Sequence, residues 1–175
     1  KGFKFHEGMD LKPFKRDASN RPLDTVFAAM DGVVSHLSRK ASNSSYGIYL
    51  VLEHKDFKPA VYTLYAHLAR VNDEVVPGNR VKAGQPLGRM GNTAGYRIPW
   101  ERAHLHFEIG LRLADDFQRW YDGRKFGSPN RHGPFNGMNL VGLDPIGFYR
   151  AYGEKRVKQP LDYLLSLPKI AVVRG

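Results

Sequence analysis

Residues 75–95, VVPGNRVKAGQPLGRMGNTAG, limit the possible fold of this chain more than any other segment. Glycine occurs at positions 78, 84, 88, 91 and 95. Glycine and proline are the least favourable residues inside a helix, so their density here excludes one. The spacing predicts tight turns that join very short strands. A chain with such a segment near its middle is predicted to be mainly β.

The flanking segments predict longer strands. Residues 46–54 (YGIYLVLEH) and 60–68 (AVYTLYAHL) are rich in β-branched and aromatic residues and predict an antiparallel hairpin. Asp31 and Gly32 lie between two short apolar arms, which predicts a second hairpin within residues 25–37. The predicted fold class is therefore mainly β, with antiparallel sheets and short glycine-punctuated hairpins.

The pattern changes after about residue 113. Polar, aromatic, glycine and proline residues dominate there, and two proline positions favour short helices. Asp144 is a predicted N-cap with Pro145 in the first turn, and Pro160 begins a second helix. We expect residues 1–113 to form the core of the domain and residues 114–175 to form a C-terminal extension packed on the same domain.

Composition excludes several classes. The chain has no cysteine, which rules out disulfides, thiolate zinc sites and cysteine nucleophiles. The net charge of +10 favours anionic partners such as a cell wall or a membrane surface. The basic residues are spread along the chain without a nucleic-acid-binding motif, so nucleic acid is not an expected partner. No apolar run is long enough to span a membrane.

The first residues do not have the apolar core of a secretory signal. Either the protein has no signal, or the sequence is a mature or trimmed fragment of a longer protein. We expect the second, because the sequence opens directly on a motif, HEGMD.

The segment RAHLHFEIGLRL, residues 102–113, predicts a final long strand with two histidines. Residues two apart on a strand share a face, so His104 and His106 point to one side. Leu105 and Phe107 point to the other side and into the core. Two imidazoles on one face indicate either a metal or catalytic site or a pair of hydrogen-bonded structural histidines.

Other polar residues extend this set. HEGMD contributes His6 and Asp10, and YAHL contributes His67. Imidazole and carboxylate are the ligands that zinc takes where thiolates are absent. The helical motif H-E-x-x-H is absent, so a thermolysin-like site has no support.

Over about residues 1–113 the chain resembles the lysostaphin-type, or LytM-like, zinc endopeptidases of bacterial cell walls. The motifs that carry the resemblance occur in one order: HEGMD (6–10), AAMDGVV (28–34), YTLYAHL (62–68), the glycine-rich segment (75–95) and HLHFEI (104–109).

The resemblance implies a role for each site residue. His6, Asp10 and His106 are the implied ligands of one zinc ion, which leaves a coordination position open. His104 is the implied catalytic histidine that acts on the water, and His67 is its partner near the scissile carbonyl. Imidazole suits both roles because its ordinary pKa lies near neutrality. The sequence leaves open which of the two is the general base.

The implied function is zinc-dependent hydrolysis of peptide bonds in peptidoglycan stem peptides or cross-bridges, outside the cytoplasm. One alternative is a non-catalytic LytM-like module that binds the cell wall or activates a hydrolase, although such relatives typically lose ligands. A second alternative is a lipoyl-like carrier modified at Lys82, whose neighbours Val81 and Ala83 are not those expected of a carrier.

Four further polar residues have weaker interpretations. Glu108 shares a face with His106, and either orients a metal-bound histidine or lies on an exposed strand face. His54 is interpreted as structural or groove-lining. His36 and His132 are interpreted as solvated or locally hydrogen-bonded side chains.

Overall fold

The structure is a computed structural model that describes residues 8–57 and 60–168. This part of the chain forms a nine-stranded antiparallel sheet and three short α-helices, so the predicted mainly β fold class is confirmed. The strands are β1 (Met9–Leu11), β2 (Thr25–Phe27), β3 (Gly32–Ser38), β4 (Ile48–His54), β5 (Val61–Val71), β6 (Arg80–Val81), β7 (Pro86–Met90), β8 (Leu105–Arg112) and β9 (Leu140–Gly142). The helices are α1 (Phe117–Gly123), α2 (Pro145–Gly153) and α3 (Pro160–Ser166).

Short 3-10 turns occupy Ala41–Asn43, Trp100–Arg102, Gly133–Phe135 and Gly137–Asn139. Among the described residues, no helix has both the length and the apolar character needed to cross a bilayer.

Strand β5 is the longest strand and lies at the centre of the sheet. It pairs with β4 along one edge, which confirms the predicted hairpin. Along its other edge, residues 61–66 pair with β8 and residues 68–71 pair with β7. Strand β1 lies on the far side of β8, so β1, β8 and β5 are consecutive neighbours.

The glycine-rich segment forms the two short strands β6 and β7, as predicted. Its glycines allow β7 to lie close to β5. A Cβ atom at Gly88 would overlap the backbone carbonyl of Arg70, and one at Gly91 would overlap the backbone of Ala69. The same residues that exclude a helix therefore also permit this close strand pairing.

The predicted hairpin at Asp31 and Gly32 is wrong. Strand β2 pairs with β7, whereas β3 pairs with β4 and β6. The Asp31 carboxylate accepts hydrogen bonds from the Ala83 backbone and from Lys82 Nζ, and the Asp31 carbonyl accepts one from His54 Nδ1. These bonds hold the turn against residues 82–83 and His54. The strands on its two sides pair with different partners and not with each other.

The sheet is buried on both faces. One face carries two apolar clusters, which include Leu105 and Phe107 near one end and Ile109 and Leu111 near the other. They are every second residue of β8 and therefore share one face, the face that was predicted to point into the core. The opposite face carries a third cluster, formed by Tyr49, Val51, Tyr62, Leu64, Ala66 and Phe135.

The residues after Leu113 contact both faces. Helices α2 and α3 supply Phe148, Ala151 and Tyr163 to the cluster around Ile109. Phe135 packs on the opposite face, and β9 pairs with β8. The prediction that β8 is the final strand is therefore wrong.

The predicted start of α2 is confirmed. The side chain of Asp144 accepts a hydrogen bond from the backbone N–H of Ile146, and Pro145 occupies the first turn. Helix α3 begins at Pro160, as predicted.

A polar contact joins the C-terminal segment to the opposite face. The Tyr49 hydroxyl lies 2.9 Å from His36 Nε2 and 2.6 Å from His132 Nδ1. One hydroxyl hydrogen serves only one of the two rings, so Tyr49 donates to one histidine and accepts from the other. Both histidines are thus locally hydrogen-bonded, as expected. Burial lowers the pKa of His36 to about 4, and the positive charge that His132 can carry adds to the effect.

We predict that this depressed pKa makes stability depend on pH. The unfolded chain binds a proton at His36 near pH 6.5, whereas the folded protein binds it only near pH 4. The contribution is present above about pH 6.5 and is lost as the pH falls towards about 4; it amounts to roughly 2–3 kcal/mol. Urea unfolding of wild type and His36→Gln across this range, with chelator present, measures it.

The free energy of unfolding of His36→Gln should fall less steeply on acidification, because glutamine does not titrate. Above about pH 7 the difference between the two proteins should be constant. Parallel losses of stability in both proteins would contradict the assignment to His36.

Candidate active site

The register between β1 and β8 brings Asp10 opposite His106. Asp10 Oδ1 lies 3.1 Å from His106 Nδ1 and 3.6 Å from His104 Nε2. Strand β8 begins at Leu105, so the predicted start of the strand at residue 102 is wrong, and His104 directly precedes it. The two imidazoles nevertheless lie on one side, as the spacing predicted, and both contact the same carboxylate oxygen.

His67 joins this group through a β-bulge. Between Tyr65 and Leu68, β5 contains one more residue than the facing part of β4. His67 has a φ of 60°, a left-handed conformation that costs energy in a residue with a side chain. Its ring centroid lies 4.7 Å from that of His104 and 6.0 Å from that of His106.

The bulge changes the face on which His67 lies. Ala66 packs with the cluster on one face, and Leu68 packs with the core on the other. Strict alternation would place Ala66 and Leu68 together and His67 opposite them. The extra residue instead keeps His67 on the same side as His106, the cross-strand partner of Ala66.

Backbone carbonyls determine which ring nitrogen of two histidines faces the site. His67 Nδ1 lies 2.8 Å from the Thr93 carbonyl, and His104 Nδ1 lies 2.7 Å from the Arg102 carbonyl. A carbonyl only accepts, so each Nδ1 carries a hydrogen and donates it. In the neutral ring, Nε2 then has a lone pair that is available to the site.

The environment of His67 favours this neutral form. Burial lowers the pKa of His67 to about 4, and the neighbouring His104 and His106 add to the effect. The Thr93 hydrogen bond and the Asp10 charge oppose it less strongly. At neutral pH, His67 is therefore an uncharged hydrogen-bond acceptor at Nε2.

His106 has the opposite orientation and the opposite shift. Its Nε2 donates to Glu108 Oε1 at 2.9 Å, which leaves Nδ1 beside Asp10. Burial alone lowers the pKa of His106, but the hydrogen bonds and charges of Glu108 and Asp10 outweigh it, and the pKa is raised. The two carboxylates therefore favour the protonated ring of His106, which donates from both nitrogens.

Glu108 is buried, so the interpretation as a residue on an exposed strand face is wrong. Its side chain is 1% exposed. Besides His106, it accepts hydrogen bonds from the hydroxyls of Tyr46 and Tyr62. Tyr62 thus does more than pack in the core.

The donor types at Asp10 and His106 fit zinc, which binds imidazole nitrogen and carboxylate oxygen. The third predicted ligand, His6, lies outside the described residues. Within residues 8–57 and 60–168, no group of three or more His, Cys, Asp or Glu side chains could hold a metal ion. The described part thus brings two of the three predicted ligands side by side.

Two supporting residues gave no signal in the sequence. Thr93 Oγ1 accepts from the Ile48 backbone and donates to the Leu68 carbonyl, while the Thr93 carbonyl holds His67. Arg16 donates to the carbonyls of Trp100 and Ala103, directly before His104. A lone threonine and a lone arginine are too common for their spacing to predict such contacts.

Two other predicted residues lie elsewhere. His54 is buried and bonded to the Asp31 carbonyl and to Thr63 Oγ1, which fits the structural interpretation. Lys82, the residue considered for a carrier, forms an exposed ion pair with Asp31 at 2.7 Å.

Comparison with known proteins adds a family and a fold. The sequence model of Peptidase family M23 matches residues 4–116. The catalytic domain of lysostaphin from Staphylococcus simulans is 21% identical, with 83% of this chain and 79% of that chain covered and a TM-score of 0.51. Whole lysostaphin from the same organism is 21% identical, with 94% of this chain and 50% of that chain covered and a TM-score of 0.55. At this identity, the likeness shows the fold. A comparison with curated proteins found no match.

We predict that Gly47→Ala displaces the support of His67. Gly47 has a φ of 67°, and an added Cβ would overlap the Thr93 carbonyl that accepts from His67. The variant should lose about 2 kcal/mol or more of unfolding free energy. The ring signals of His67 in two-dimensional NMR should also shift.

Gly78→Ala is the matched control. Gly78 has a φ of 92°, and an added Cβ would meet no atom within 4 Å. It should lose only about 1 kcal/mol, the cost of its backbone conformation, with unchanged His67 signals. Equal effects of the two substitutions would contradict the role of the Thr93 contact.

Proposed function

This chain belongs to peptidase family M23, and from that premise we propose that it is a zinc-dependent endopeptidase of peptidoglycan. Its substrates are peptide bonds in stem peptides or cross-bridges, and it acts outside the cytoplasm. The proposal is carried by one observation, the contact of His104 and His106 with a single oxygen of Asp10.

His6, Asp10 and His106 would hold the metal ion. Three ligands of this kind are typical of catalytic zinc, which keeps a further position open. When bound, zinc polarises the scissile carbonyl and lowers the pKa of a coordinated water to about 7.

His67 and His104 handle the protons in this proposal. Each has its Nδ1 fixed to a backbone carbonyl, so each Nε2 can accept a proton from the attacking water. The proton then passes to the nitrogen of the leaving amine. A histidine that is protonated at Nε2 can instead donate a hydrogen bond to the developing oxyanion.

The charge of the chain supports an anionic surface as a second contact. The net charge of +10 attracts polyanions at long range, and cell-wall polymers and membrane surfaces are of that kind. This attraction concentrates the protein near its substrate without selecting the bond that is cut.

We predict that His106→Ala abolishes both zinc binding and hydrolysis. Removing one of three ligands leaves the site too weak to retain the ion. Elemental analysis after dialysis, and mass spectrometry of cross-linked muropeptides after incubation, measure the two losses. Chelator should abolish hydrolysis by wild type, and added zinc should restore it.

His36→Gln is the control for this experiment, because His36 lies in the Tyr49 contact and not beside Asp10. It should bind zinc and cleave muropeptides like wild type. Equal activity of wild type and His106→Ala, with no zinc in either, would overturn the proposal. A wild type that binds wall but neither zinc nor a scissile peptide would favour the non-catalytic alternative.

We predict that His67→Asn keeps zinc but loses turnover. Asparagine adopts the left-handed backbone conformation of residue 67 more readily than most residues, so the bulge should survive. Without an imidazole, kcat should fall by about 10²- to 10⁴-fold.

Steady-state kinetics on a defined muropeptide and zinc analysis measure these effects. If His67→Asn lost zinc together with activity, His67 would act on the metal site rather than on protons.

A further inference from the structure

Buried beside the candidate ligands lies a carboxylate that the proposed chemistry does not use. We propose that Glu108 is a positioning residue for the metal site. It fixes the hydrogen on Nε2 of His106, so that Nδ1, the atom beside Asp10, is the nitrogen left for the metal ion. This inference rests on the proposed function, because it takes His106 to be a ligand.

The surroundings of Glu108 account for its burial. A buried carboxylate is costly unless hydrogen bonds replace its water. Oε1 accepts from Tyr46 Oη at 2.6 Å and from His106 Nε2 at 2.9 Å, and Oε2 accepts from Tyr62 Oη at 3.0 Å. Both oxygens are therefore engaged, and the carboxylate has a fixed orientation.

Because a carboxylate accepts only, it determines the hydrogen position on its neighbour. His106 must carry a hydrogen on Nε2 to make its bond to Glu108. Nδ1 likewise donates to Asp10 Oδ1 at 3.1 Å, so the ring carries a hydrogen on both nitrogens. A metal ion would displace the Nδ1 hydrogen, while the bond to Glu108 keeps the hydrogen on Nε2. An amide at residue 108 could donate as well as accept, and would permit the reversed tautomer, in which Nδ1 carries the hydrogen.

Aromatic packing fixes the two tyrosines in turn. The ring centroid of Tyr46 lies 5.7 Å from that of His106 and 5.2 Å from that of Tyr49. The ring of Tyr62 lies 6.3 Å from that of Phe135, which belongs to the C-terminal segment. The hydroxyls that orient Glu108 are thus attached to rings that are packed in place.

The test compares wild type with Glu108→Gln, which has nearly the same shape. Zinc affinity, measured by competition with a chromophoric chelator, should fall by about 10-fold, within the range found when such partners of metal-bound histidines are lost. In the zinc-loaded protein, solvent exchange of the His106 Nε2 hydrogen, measured by ¹⁵N NMR, should be faster by about the same factor.

Glu53→Gln is the matched control. Glu53 is the other buried glutamate of the described residues, and it accepts from Arg112 at 2.8 Å. Its substitution also removes a buried negative charge, but it should leave zinc affinity and the His106 hydrogen unchanged. If Glu108→Gln did not fold, Tyr46→Phe would replace it, with an expected loss of zinc affinity of about three-fold.

The outcomes separate the two proposals. If wild type binds zinc but Glu108→Gln matches it in affinity and in hydrogen exchange, the positioning role is wrong and the proposed function stands. The positioning role is also wrong if Glu53→Gln lowers zinc affinity as much as Glu108→Gln does. If wild type binds no zinc at all, both proposals fall.

Discussion

The change of strand partner at His67 is the constraint on which the site depends. Strand β5 pairs with β8 up to Ala66 and with β7 from Leu68, and the residue between them adopts a left-handed backbone. Without this bulge, His67 would point into the core on the other face. Gly88 in β7 and Gly91 directly after it matter for the same reason, since they let that strand pair with β5 beyond the end of the β8 pairing.

Each of the three imidazoles is anchored at one ring nitrogen. Backbone carbonyls hold Nδ1 of His67 and of His104, while a carboxylate holds Nε2 of His106. The remaining nitrogens of His104 and His106 lie beside one oxygen of Asp10. The same residue type thus presents different atoms to the site, and the anchor rather than the histidine decides which one.

Sequence patterns predicted most of the architecture, and four of the five candidate site residues lie together in the described part of the chain, while their roles stay predictions. Strand periodicity placed Leu105 and Phe107 in the core and the two histidines opposite them. The hairpin at Asp31 failed because β2 pairs with β7 and β3 pairs with β4 and β6, and a local turn signal does not contain these long-range pairings. The supports at Thr93 and Tyr46 could not be predicted, because their contacts depend on long-range register and not on spacing.

Residues after Leu113 pack on both faces of the sheet. Phe135 lies against one face, and the helix residues Phe148 and Ala151 lie against the other, whereas the family match ends at residue 116. The packing on the sheet therefore extends beyond the residues that the family model matches. A chimera built from members of this family should therefore have its junction after α3, because an earlier junction would expose an apolar face of the sheet to solvent.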